Sequence, residues 1–163
     1  MKKITAIYPG TFDPVTNGHL DIIERASKLF DKVVITISVN SSKKPLFTKE
    51  ERQDMIKNVT TKYKNVSVDV FDGLLVTYAK KKKASVIIRG LRAISDFDYE
   101  FQIALTNRKL EPEVNTIFLM PSEKYSFLNS SLVRELASYK ADVKQFVPDY
   151  VFKKLKEKYT AKV

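Results

Sequence analysis

Two periodicities alternate along the chain. Short runs rich in β-branched and aromatic residues, at Ile4–Tyr8, Val33–Val39, Val66–Phe71, Ser85–Arg89 and Thr116–Met120, have the length and composition of buried strands. Between them apolar residues return every three or four positions: Leu20, Ile22, Ile23, Ala26, Leu29 and Phe30 mark one helical face, and Met55, Ile56 and Val59 another. Further helices are expected over Leu74–Lys83, Phe97–Leu110, Ser131–Tyr139 and Pro148–Tyr159. Start signals agree with several of these. Thr48-Lys49-Glu50-Glu51 is a capping box, in which the Thr48 hydroxyl and the Glu51 carboxylate each serve the other's main-chain amide. Ser95-Asp96-Phe97-Asp98 puts a carboxylate in the corresponding place, and Pro148 suits a first helical turn.

Strand, helix and strand in succession imply right-handed crossovers and a parallel sheet covered on both faces. The expected fold is an α/β, Rossmann-like three-layer sandwich with a five-stranded parallel sheet. A chain of 163 residues, 44% of them apolar, suits one domain over 1–163. In such sheets ligands gather beyond the carboxyl ends of the strands, near the point where strand order reverses. Four polar loops lead off strands toward that edge: "YPGTFDPVTNGH", "NSSKKPLF", "RGLRAISDFDYE" and "PSEKYSFLNSS". They are expected to bring His19, Lys43, Lys44, Arg89, Arg92 and the hydroxyls of Thr11, Ser130 and Ser131 to one rim.

Composition narrows the chemistry. The absence of cysteine excludes disulfides, thiolate metal sites and cysteine nucleophiles, and a single histidine excludes a multi-histidine metal site. The net charge of +10 favours anionic partners: nucleic acid, acidic lipid or phosphorylated metabolites. The run Lys80-Lys81-Lys82-Lys83 reads as the end of an exposed helix, where lysines suit the C-terminal dipole, and no aromatic alternates with it to stack on bases. The opening "MKKITAIYPG" holds too short an apolar run for a signal peptide or membrane span, and a cytoplasmic location is expected.

The first loop carries the sharpest signal. Gly10 permits close backbone approach or an unusual torsion, and Thr16-Asn17-Gly18 offers capping oxygens and an unhindered amide at a helix start. Such a start presents free N–H groups and a positive dipole end to an anion, with His19 in its first turn. No G-x-G-x-x-G follows the first strand, and no P-loop or G-x-S-x-G elbow occurs.

Thr16-Asn17-Gly18-His19 resembles the T/H-x-G-H signature of the nucleotidylyltransferase superfamily. "YPGTFDPVTNGHLDII", "SKKPLFTKEER", "IRGLRAISDFDYE" and "SFLNSSLVRE", in this order and spacing, resemble the family of bacterial phosphopantetheine adenylyltransferases from about Ile4 to Pro148. The resemblance implies transfer of AMP from ATP to 4′-phosphopantetheine, giving dephospho-coenzyme A and pyrophosphate in coenzyme A biosynthesis. It also implies that Thr11, Phe12 and His19 meet ATP, with Thr11 near the phosphopantetheine phosphate as well. Lys43, Leu75 and Arg89 then hold phosphopantetheine. Gly90, Leu91, Arg92 and Glu100 hold ATP, together with Tyr125, Ser126, Phe127, Leu128, Asn129, Ser130 and Ser131. Asn129 stands where the superfamily pattern I-S-S-T-x-x-R has its first serine. The same resemblance implies a homohexamer, Mg2+ carried in with ATP, no metal site of the protein's own, and neither nucleic acid nor membrane as partner.

The chemistry suits these residues. The nucleophile is a phosphate oxygen already ionised at neutral pH, so positioning and charge stabilisation matter more than a general base. His19, Lys43, Arg92 and Ser130 are the expected donors to the charge that develops during in-line displacement at the α-phosphorus. A helix N-terminus disfavours imidazolium at His19 and bound phosphates favour it, leaving its charge open. Two other readings compete. Another small nucleotidylyltransferase, acting on glycerol phosphate or nicotinamide mononucleotide, shares the glycine-histidine signature but not "IRGLRAISDFDYE". A basic nucleic-acid-binding module predicts strongly salt-dependent binding and no pyrophosphate release.

Overall fold

The computed structural model describes residues 3–39, 44–92 and 94–160. Five strands, β1 (Thr5–Gly10), β2 (Lys32–Ser38), β3 (Val66–Phe71), β4 (Val86–Gly90) and β5 (Asn115–Leu119), form one parallel sheet in the order β3-β2-β1-β4-β5. The chain runs outward from β1 in one direction through β2 and β3, then crosses back to β4 and β5 on the other side. Strand order therefore reverses between β1 and β4, and a crevice opens past their carboxyl ends. β1 pairs with β2 along its whole length, from Thr5 beside Lys32 to Gly10 beside Ile37, but with β4 only at Ala6 and Ile7. Pro9 lies past that shorter ladder, where β4 asks nothing of the amide that proline lacks.

Successive residues of β1 feed opposite faces, as the strand period requires. Ala6 and Tyr8 enter the larger core, with Ile22, Ile23 and Ala26 of α1 (Asn17–Leu29) and Met55 and Ile56 of α2 (Lys49–Val59). Ile7 enters a smaller one with Val76 and Ala79 of α3 (Leu75–Lys81) and with Ile87. α5 (Ser130–Ser138) and α6 (Asp149–Thr160) complete the larger face through Val133, Val151 and Leu155.

The Thr48 capping box forms as expected: Thr48 Oγ1 accepts from Glu51 N at 3.2 Å, and Glu51 Oε2 accepts from Thr48 N at 2.7 Å. The box expected at Ser95 does not. α4 spans Ile94–Leu110, so Ser95–Asp98 lies inside the helix rather than at its threshold. Asp96 instead receives Arg92 Nε one turn back at 3.1 Å, a carboxylate in the first turn where the helix dipole favours it. Pro148 sits just before α6, its carbonyl accepting from Phe152 N. The lysine run closes α3: Lys80 pairs with Glu111, Lys82 with Asp69, and Lys83 turns to φ 53°. α4 leaves Phe97, Tyr99, Phe101, Leu105 and Leu110 exposed, and Ile117 and Met120 are exposed at and just beyond β5.

Candidate active site

A cavity of about 600 Å3 lies in the crevice between β1 and β4 and is bordered by the loops after β1, β2, β4 and β5 and by the start of α3. Its first wall is the β1–α1 loop. Phe12, at φ 49° and 2% exposed, turns its ring beneath Gly10, where an added Cβ would stand 2.9 Å from two ring carbons. Gly10 therefore serves close approach, and the unusual torsion falls at Phe12. The same ring meets Tyr8 edge-on at 5.4 Å and His19 at 5.0 Å, fixing the imidazole plane by packing.

The start of α1 fixes the imidazole's proton as well. Thr16 caps the helix, and His19 occupies the third helical position, where a capping box usually has glutamate. Thr16 N donates to His19 Nδ1 at 3.0 Å, so Nδ1 is the acceptor nitrogen and the neutral ring carries its proton on Nε2. Burial in the wall, and then the charge of Arg92, lower the His19 pKa from 6.5 to about 4. Near neutrality His19 is an uncharged N–H donor bordering the cavity. Asn17 N is spent on Phe146 O at 2.9 Å, and His19 N turns to Thr16 Oγ1, which leaves Gly18 with an unclaimed amide among the described residues.

The loop is clamped from behind. Asp13, 3% exposed, accepts from Leu46 N at 2.8 Å and Phe47 N at 2.9 Å, tying the β1–α1 loop to the segment after β2. Arg52, 4% exposed, donates to Thr11 O at 2.7 Å, and the Arg134 guanidinium donates to Asp13 O and to Ser131 Oγ. These clamps keep His19 and the Thr11 backbone in register with the other loops.

The second wall is the start of α5. Asn129 caps it, Oδ1 accepting from Leu132 N at 2.8 Å, so the residue that departs from the superfamily's serine performs the cap equally well. Ser130 Oγ donates to Pro14 O at 2.8 Å, joining this wall to the first. Its hydroxyl proton is thus spent on the protein, and what the α5 start offers an anion is the pair of main-chain amides at Ser130 and Ser131. The third wall follows β4. Arg89 makes a two-pronged pair with Glu100, Nε to Oε2 at 2.6 Å and Nη2 to Oε1 at 2.7 Å. Burial alone lowers the Arg89 pKa, but the Glu100 hydrogen bonds and charge outweigh it and hold the guanidinium cationic. Arg92 is steadied by Asp96 and by Leu128 O at 3.3 Å. At Gly90 a Cβ would stand 2.8 Å from Ile22 Cδ1, so any larger residue there requires the end of the Ile22 side chain to shift.

Most of the expected residues converge here. Thr11, Phe12, His19, Lys44, Leu75, Arg89, Gly90, Arg92, Glu100, Tyr125, Leu128, Asn129, Ser130 and Ser131 all border the cavity. Three do not. Leu91 extends the sheet edge through Leu119 O, Ser126 N closes the short 3-10 turn on Glu123 O, and Phe127 packs against Phe146 at 6.0 Å with over half its surface exposed. Lys43 lies outside the described residues. Arg134, Arg52 and Asp13's clamping role escaped sequence reasoning. Arg134 was findable as the closing arginine of I-S-S-T-x-x-R, whereas Arg52 sits in an ordinary charged helix and nothing local marks it. Two of the cavity's acidic residues, Asp13 and Glu100, are both committed to protein partners, and among the described residues no cluster of three or more histidine or acidic side chains is placed to hold a metal ion.

Comparison with known proteins bears on the family and the fold. Residues 7–136 match the cytidylyltransferase-like family. The chain is 58% identical over 154 residues, 94% of its length and 95% of the other's, to the phosphopantetheine adenylyltransferase of Carboxydothermus hydrogenoformans. It is 55% identical over 159 residues, 98% of its length and 99% of the other's, to that of Dictyoglomus turgidum. Among solved structures, Plasmodium falciparum nicotinic acid mononucleotide adenylyltransferase complexed with NaAD superposes with a TM-score of 0.70 at 15% identity, covering 96% of each chain. A putative nicotinate-nucleotide adenylyltransferase from Vibrio parahaemolyticus gives 0.67 at 21% identity, over 94% of this chain and 99% of that one. At such identities the last two speak for the fold alone.

Proposed function

The chain belongs to the phosphopantetheine adenylyltransferase family, within the cytidylyltransferase-like proteins, and on that premise we propose how its cavity transfers AMP from ATP to 4′-phosphopantetheine, releasing pyrophosphate and dephospho-coenzyme A. One observation supports this reading above the others: a neutral histidine with its tautomer set, two arginines and the amides of two helix starts border one cavity at the switch point of the sheet.

A phosphopantetheine phosphate oxygen forms a new bond to the α-phosphorus of ATP while the bond from that phosphorus to the β-bridging oxygen breaks, and pyrophosphate leaves with the electron pair. No proton need move, because the attacking oxygen is already ionised. The His19 Nε2–H donates to an α-phosphoryl oxygen as charge builds there, and Gly18, Ser130 and Ser131, whose amides are available at two helix starts, border the same cavity. Arg92 holds ATP phosphates. Arg89, oriented by Glu100, holds the incoming phosphate, with Leu75 against the pantetheine arm. Lys43 bridges to the attacking phosphate. Glu100 thus serves the incoming phosphate, through the arginine it aims. ATP enters as its magnesium complex, its metal held by phosphate oxygens and water, since Asp13 and Glu100 are both committed elsewhere.

The exposed apolar strip of α4 and β5 supports the expected homohexamer, which sedimentation at working concentration tests. A cytoplasmic site of action fits a chain in which no described helix is long and apolar enough to cross a membrane. Incubation with ATP, magnesium and phosphopantetheine, followed by mass detection of dephospho-coenzyme A, tests the reaction. Turnover of nicotinamide mononucleotide or glycerol phosphate in its place would contradict it.

A further inference from the structure

Tyr8 lies on β1 two residues before Gly10, is 4% exposed, and borders the cavity. Its ring is held edge-on by Phe12, and its hydroxyl lies 3.7 Å from the point where a Cβ on Gly90 would stand. Among the described residues no hydrogen bond reaches that hydroxyl. The hydroxyl is not one of the enclosed polar atoms left without a partner, so it opens onto the cavity, and phenylalanine would fill the same space without offering a donor there. The hydroxyl's partner is therefore a molecule that enters the cavity.

Its surroundings say what kind. The charges of Arg89 and, more weakly, Arg92 act on Tyr8, and both arginines face the same crevice. Burial, working against those charges, pushes the phenol above its ordinary range, so it stays an O–H donor at any working pH. A donor between two cations matches an anion with acceptor oxygens on several sides.

We propose that Tyr8 is a further substrate-binding residue, whose hydroxyl donates to the phosphate of the acceptor substrate at the floor of the crevice between β1 and β4. The acceptor is favoured over ATP because β1, which carries Tyr8, pairs with β4, which carries Arg89, the residue assigned to that phosphate, whereas Arg92 lies past the end of that strand. The proposal rests on the assignment of phosphopantetheine as acceptor.

The test is Tyr8→Phe, followed by steady-state kinetics in each substrate, calorimetric titration with phosphopantetheine, and thermal unfolding. The expected result is a loss of about ten- to a hundredfold in kcat/KM for phosphopantetheine, the range for a hydrogen bond to a charged group. The matching weakening should appear in direct binding, with KM for the magnesium complex of ATP near the wild-type value. Tm should stay level or rise, because no bond within the protein is lost. Unchanged kinetics and binding would overturn the proposal. So would a lowered Tm with intact kinetics, the mark of a hydroxyl serving a buried water, or a loss confined to ATP. If the wild-type protein binds phosphopantetheine but makes no dephospho-coenzyme A, the assigned reaction fails while the titration still decides for or against Tyr8.

Discussion

Two helix starts face the same cavity and are built differently. At α1 the cap is threonine, and the box is closed by His19 instead of a carboxylate, so the residue that finishes the cap is also the cavity's donor. At α5 the cap is Asn129, the box has no second member, and the start offers amides alone. The first is a positioned donor with a set tautomer, and the second is a fixed patch of positive dipole. Altering α1 should therefore change the reaction, whereas altering the α5 cap should change mainly stability.

The largest effect that divides them is expected from His19→Ala. Turnover should fall about a hundred- to thousandfold, as for loss of a donor to developing charge, while ATP affinity by titration changes little and the unfolding temperature drops only modestly, for the lost second member of the cap. Near-normal kcat would leave α1 no different in kind from α5. Next comes Gly10→Ala, which drives a methyl into the Phe12 ring that backs His19. Overpacking of this kind costs about 1–3 kcal/mol, read from denaturant unfolding, and turnover should drop with it because the ring cannot yield without moving the imidazole.

A smaller change follows at α5. Asn129→Ala should cost about 1 kcal/mol of stability for the lost cap, and Asn129→Ser should restore it to within a few tenths. A steep loss of turnover in the serine variant would mean that the Asn129 side chain touches substrate. The smallest change is expected from pH. Because His19 titrates at about 4 in the folded chain and near 6.5 when unfolded, the unfolded state binds the extra proton between those values. This contribution to stability is complete above about pH 6.5 and is lost as pH falls toward 4, while from about pH 6 to 9 the imidazole keeps one charge state. As the chain's one histidine, its ring signals in NMR report the titration and the Nε2–H tautomer without ambiguity.

The same contrast shows what was legible beforehand. The cap at Thr48, the lysine-rich end of α3 and the apolar faces of α1 and α2 depend on neighbours within a turn, and they formed where spacing put them, except that Leu29 at the end of α1 is exposed. The start of α4 did not, because Ser95 and Asp98 satisfy a local rule that a helix begun at Ile94 overrides. The gathering of polar loops at one edge was readable because strand alternation with helices forces a parallel sheet. The assignment of individual duties was less so: Glu100 turned out to aim Arg89, Ser130 to tie two walls together, and Phe127 to face away.

From sequence alone came the periodicities, the parallel α/β order and the residue types that gather around phosphate, since these arise from contacts a few positions apart and from the uniform direction of crossover connections. Only the tertiary structure decided which arginines face the cavity or are spent on main-chain carbonyls, and that among the described residues none hydrogen-bonds the Tyr8 hydroxyl. Those outcomes depend on groups dozens of residues apart meeting within 3 Å, and no local pattern encodes a distance of that kind.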